Sequence, residues 1–136
     1  MRLYLRATDQ LEAKPIPDTE HGWAPFFSPD GKWVGFFTLH TQVKGELKKW
    51  SLLGGEPVTI CEVGVGRGAS WGEDGTIVFG KRDGLWRVSS NGGIPEPLIP
   101  EGVIYFPQIL PGARCYSSRI GQKSGCSLWT LANKAP

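Results

Sequence analysis

The segment Gly64-Val65-Gly66-Arg67-Gly68-Ala69 has the spacing G-x-G-x-x-A, in which glycines let a backbone approach a phosphate and a helix N-terminus balances its charge. That chemistry requires a helix to follow, whereas Trp71 and the pair Asp74-Gly75 come next and point to a strand and a turn. The segment is therefore expected to be a loop between two structural units. His21 and His40 have neither a paired nucleophile nor metal-ligand spacing, and are expected to be solvated loop residues. Ser28 and Ser70 lack the G-x-S-x-G elbow that exposes a nucleophile, so their hydroxyls are expected to bond the local backbone. Asp30 and Asp74 offer one carboxylate per turn, short of the roughly six to eight oxygens that calcium takes, and neither lies in a D-x-[DN]-x-[DN]-G series. Turn formation is their expected role. Lys44, Lys48 and Lys49 make a small basic cluster interrupted by Glu46, the pattern of solvated lysines that guard a strand edge.

Cys61, Cys115 and Cys126 are odd in number and contain no C-x-x-C pair, which argues against both a zinc site and a disulfide framework. Cys115 and Cys126 bracket one hairpin. Overlaid on an earlier hairpin they fall at the places of Trp33 and Gly45, and since Trp33 is expected to face roughly Trp50, the two sulfurs should sit beyond bonding reach along the ladder. Free thiols are expected. No catalytic, cofactor-binding or metal-ligating residue is assigned, and no cofactor is implied.

The totals bound the function further. The chain has 136 residues, enough for one modest domain with a real core. Its net charge of +2, with 21% charged residues, lacks the basic field of a nucleic-acid binder. The N-terminal Met1-Arg2-Leu3-Tyr4-Leu5-Arg6 has no signal-peptide h-region, and no run approaches the ~18 apolar residues of a membrane helix. Gly (19) and Pro (11) recur between apolar runs, which predicts many turns. Six Trp, six Phe and three Tyr favour strands.

Those turns keep a period. Pro25-Phe26-Phe27-Ser28-Pro29-Asp30-Gly31-Lys32-Trp33-Val34-Gly35-Phe36-Phe37 recurs as Ala69-Ser70-Trp71-Gly72-Glu73-Asp74-Gly75-Thr76-Ile77-Val78-Phe79 and, more weakly, as Pro107 to Tyr116. Asp30, Asp74 and Gly112 are 44 and 38 residues apart. A second phrase keeps step with it: Leu47 to Pro57 matches Leu85 to Pro95, both with Gly-Gly before the proline. Leu3 and Leu128 extend that frame. Asp-Gly between strand-like runs marks a hairpin because glycine accepts the positive φ of a tight turn. Each repeat is thus predicted to be four short strands. They fall at Arg2 to Ala7 and Lys14 to Thr19; at Pro25 to Phe27, Lys32 to Phe37, Glu46 to Leu52 and Pro57 to Cys61; at Gly68 to Trp71, Thr76 to Gly80, Gly84 to Ser89 and Ile94 to Ile99; and at Phe106 to Leu110, Arg114 to Ser118 and Ser127 to Leu131.

Four strands at a period near ~40 residues is the arithmetic of a β-propeller. The predicted fold class is all-β: a partial propeller of four-stranded antiparallel blades, two complete and two partial, with divisions at 1–20, 21–63, 64–101 and 102–136. Since propellers close with ~4 to 8 blades, the sequence predicts a segment of something larger, with self-association through its exposed blade edges if it stands alone.

Phe27-Ser28-Pro29-Asp30-Gly31-Lys32 and the Leu47 to Pro57 phrase resemble the repeats of TolB-type, WD-like propellers. Lys14-Pro15-Ile16-Pro17-Asp18-Thr19-Glu20 with Ala24 to Gly31 resembles more narrowly the C-terminal propeller of bacterial membrane-anchored serine/threonine protein kinases. Glu73 in place of proline and Gly112-Ala113 in place of Asp-Gly depart from that pattern. The resemblance implies a non-catalytic scaffold for a protein or small ligand, in a periplasmic or extracytoplasmic setting. The alternative is the gating propeller of a peptidase or hydrolase, or a TolB-like periplasmic scaffold. No H-R-D-x-x-x-x-N, D-F-G or V-A-I-K phrase occurs, so phosphoryl transfer is not expected from these residues.

Overall fold

The computed structural model describes residues 2–100 and 104–109 in full, together with the backbone of strands at 115–120 and 126–130. Apolar runs rich in aromatic and β-branched residues form strands, and the Gly, Pro and Asp clusters between them turn the chain. Strands β1 (Tyr4–Leu5) and β2 (Lys14–Pro15) pair as a two-stranded sheet, much shorter than the runs predicted there. Proline at 15 and 17 limits that ladder, because each lacks an N–H to donate. Strands β3 (Gly22–Phe27), β4 (Trp33–Leu39), β5 (Gly45–Ser51) and β6 (Val58–Glu62) form a four-stranded antiparallel meander. A second meander follows, with β7 (Ala69–Trp71), β8 (Thr76–Lys81), β9 (Gly84–Ser89) and β10 (Glu96–Ile99). The last sheet contains β11 (Ile104–Ile109), β12 (Cys115–Ile120) and β13 (Cys126–Thr130). The fold is an all-β partial propeller.

Side chains alternate across each strand, so consecutive residues serve different layers. Phe36 packs with Leu3, Ile16 and Trp50 toward the first sheet, while Phe37 packs with Leu47, Ile60, Ile77, Phe79 and Val88 toward the next. The second meander repeats the device: Ile77 and Phe79 face back, and Val78 joins Leu85, Leu98 and Ile104 in the layer ahead. Phe37 and Phe79 meet edge-on across the first of these layers, with ring centroids 6.4 Å apart. The apolar layers therefore lie between sheets, as radial stacking requires.

The innermost strands carry a feature that residue types conceal. Pairing of β3 with β4 slips between Trp23 and Phe26, and that of β11 with β12 slips between Tyr105 and Gln108. Ala24 and Phe106, inside those bulges, have φ of 51° and 47°. Gly68 stands at the same place in the second meander with φ 101°. Positions 24, 68 and 106 are spaced like Asp30, Asp74 and Gly112. Here the inner strands also bond across sheets: Phe106 N donates to Arg67 O at 2.7 Å, and Ile109 N to Ser70 Oγ at 3.1 Å. Ser70 thus holds the neighbouring sheet, in place of the local backbone bond expected of it.

Cys61 is buried between the two complete sheets, as expected of a spectator thiol. Backbone register sets Cys115 opposite Thr130 and Cys126 opposite Arg119, about 13 Å apart along the ladder. Their side chains, and the hairpin turn at Gly112-Ala113, lie outside the described residues. Burial pushes the Cys61 thiol up from an ordinary 9.0 to about 11, with Lys81 drawing it partly back. The native chain then keeps a proton that the unfolded chain releases, so this contribution to stability is complete below 9.0 and fades as pH rises toward about 11. In a Cys115→Ser, Cys126→Ser background, a thiol-reactive disulfide at about pH 8 is expected to label Cys61 only on denaturation. Rapid labelling of the native chain would contradict this packing.

Candidate functional site

Both Asp-Gly turns have the predicted chemistry. Asp30 Oδ1 accepts from Lys32 N, and Asp74 Oδ1 from Thr76 N, each at 3.0 Å. The following Gly31 and Gly75 take φ of 70° and 82°, open to glycine at little cost. The first turn has an added member: Ser28 Oγ donates to Asp30 Oδ1 at 2.5 Å and accepts from Trp33 N at 3.0 Å. The Ser28 hydroxyl, followed by the Lys32 amide, holds the Asp30 carboxyl below its ordinary value, so it is ionised at neutral pH. Ser28 is thus a turn residue and is not placed as a nucleophile.

The two turns lie side by side on one rim. A backbone bond ties each to the outer hairpin of its own sheet: Leu52 N donates to Lys32 O at 3.0 Å, and Ser90 N to Gly75 O at 2.8 Å. Between the turns opens a cleft of about 520 Å³. The first complete sheet lines it with Asp30, Trp33 and Lys49, the second with Trp71, Glu73 and Ser90. Lys49 Nζ sits 4.8 Å from the Trp33 ring centroid. Trp71 leans on Phe26 of the neighbouring sheet, centroids 6.3 Å apart, so a partly exposed indole is braced from behind by the core. Ser90 is 8% exposed and lines the cleft. The cleft thus combines two aromatic faces, a buried hydroxyl and charges of both signs at a seam between rigid sheets, an arrangement suited to binding.

The remaining candidates are dispersed. His40 is exposed on the loop after β4, at the opposite end of that strand from the cleft, and its Nε2 lies 2.9 Å from Glu46 Oε2. That hydrogen bond, with Lys48 at 3.4 Å, holds the Glu46 carboxyl below its ordinary range. His21 is exposed. The lysines do not form one cluster: Lys48 pairs with Glu46, Lys49 covers Trp33 from the other face of β5, and Lys44 is solvated. Gly64 to Gly68 is the loop expected between sheets, running from β6 into β7 with no helix after it. Among the described residues no group of three or more His, Cys, Asp or Glu could hold a metal ion, and no helix is long and apolar enough to cross a membrane. On sequence alone Trp33 and Trp71 fall in strands, and neither is assigned to a site. Each stands three residues from its turn aspartate, and that spacing was the available signal.

No protein-family model matches the chain, and no curated protein matches it. Among solved structures it resembles one provisionally identified as TolB from Agrobacterium tumefaciens, with a TM-score of 0.73 and 18% identity. The match covers 90% of this chain and 47% of that one, so the chain spans about half the length of its structural neighbour. At this identity the likeness establishes the propeller fold.

Proposed function

We propose that this chain is a non-catalytic binding scaffold, a run of propeller blades that holds a segment of a protein partner in the cleft between the Asp30 and Asp74 turns. The observation that carries this reading is Trp33 and Trp71 brought from neighbouring sheets into one opening of about 520 Å³. Partly exposed tryptophans on a rigid frame lose little entropy on binding and are enriched among residues that dominate protein interfaces. The hydroxyls of Ser28 and Ser70 are committed to a turn and to a sheet contact, which fits a scaffold better than a hydrolase. For the setting we favour the sensor region of a bacterial serine/threonine kinase, supported by the phrases from Lys14 to Glu20 and from Ala24 to Gly31.

The test is selection from a random-peptide display library on the intact chain, followed by rebinding to Trp71→Ala. Selected peptides are expected to lose about tenfold in affinity on that variant. Peptides indifferent to both Trp33→Ala and Trp71→Ala would move the binding surface elsewhere.

A further inference from the structure

The cleft also has a charge preference. Asp30 and Glu73 bring two carboxylates to its lining and Lys49 brings one ammonium. That ammonium stands over Trp33 at 4.8 Å, so one aromatic face already holds a cation. Among the described residues no cation stands over Trp71, and Glu73 is two residues away on the adjoining turn. Ser90, almost wholly buried, adds a hydroxyl to the lining. From this arrangement we propose that the cleft takes the cationic end of an arginine or lysine side chain from the partner, its stem along Trp71 and its charge set against Glu73 and Asp30.

The inference rests on the binding reading above and specifies the partner's chemistry. A neutral polyol could also stack on tryptophan and hydrogen-bond the carboxylates, but it lacks the direct attraction between opposite charges that a cation gains from the ionised Asp30. Lys49 is the internal competitor. Its ammonium repels an incoming cation and covers Trp33, so removing its charge should tighten the site.

The indole N–H signals of Trp33 and Trp71, assigned through Trp→Phe variants, report occupancy in an NMR titration of the intact chain. The probes are N-acetyl-arginine methylamide, its neutral glutamine counterpart and maltose. Saturable shifts of the Trp71 indole with the arginine probe are expected, with binding about fivefold weaker for the glutamine probe. Glu73→Gln should weaken arginine binding about threefold, Lys49→Gln should strengthen it by a similar factor, and salt at about 0.5 M should suppress it. Glu73 and Lys49 lie outside the buried core, so neither change threatens folding. Equal shifts with glutamine or maltose would overturn the cationic preference and leave the cleft as the binding site. If no probe reaches either indole, the cationic proposal falls, and the display selection decides separately whether the cleft binds anything.

Discussion

Phe37→Ala is expected to destabilise the chain by about 3–5 kcal/mol, the range for emptying a fully buried aromatic position. Phe37 is 0% exposed and lies between the two complete sheets. Its ring touches Trp23, Phe26 and Phe79, at centroid distances of 5.9, 6.3 and 6.4 Å. It also lies against the backbone of Gly66, whose missing side chain makes room for it. Removing the ring strips contacts from both sheets, and a rigid seam collapses only partly into the space. The urea midpoint measures the effect, and a loss below about 1 kcal/mol would mean the sheets do not share this layer. Phe27→Ala, on the exposed end of the same inner strand β3, is the control and should change the midpoint little.

Gly68→Ala is expected to cost about 3 kcal/mol, combining backbone strain with overpacking. At φ 101° Gly68 lies outside the small left-handed region that other residues enter. A Cβ there would stand 2.6 Å from Phe106 Cδ1 and 2.8 Å from Phe106 Cα. The neighbouring inner strand would have to retreat, straining the 2.7 Å bond from Phe106 N to Arg67 O. The reciprocal change, Ala24→Gly, replaces a residue at φ 51° and should be neutral to within about 1 kcal/mol, because relief of the positive φ offsets the added freedom of the unfolded chain. Equal losses for the two variants would show that the bulge imposes no positive-φ requirement at position 68.

The period of the sequence announced the fold because Asp-Gly and Gly-Gly have few uses besides tight turns, and because Leu47 and Leu85 hold matching buried places. Strand β9 lies where Gly84 to Ser89 predicts it. Face assignment was harder to see. In the first turn Ser28 N bonds Trp33 O, five positions on, whereas in the second Gly72 N bonds Thr76 O, four positions on. One additional residue shifts everything beyond it, so Trp33 is the counterpart of Thr76 and pairs with Ser51, leaving Val34 opposite Trp50. A shift of one reverses which layer a strand residue serves, and gapless alignment of the repeats hides it. The inner-strand bulges were hidden for a different reason. Ala24, Gly68 and Phe106 share a positive φ but no side-chain property, and packing imposes it on two residues that would not choose it. The cleft escaped notice because its walls come from two repeats, and a search within either one sees half of it.

Phe36 and Phe37, adjacent in the chain and facing opposite layers, make every sheet a shared wall. Cohesion in such an array follows nearest-neighbour rules: an interior member is held from two sides and a terminal one from a single side. The seam around Phe37 lies between two sheets that each pack against a further neighbour, so opening it strips a layer from both. The cleft between the Asp30 and Asp74 turns stands over that seam, so its two walls keep their spacing only while the layer beneath them stays closed.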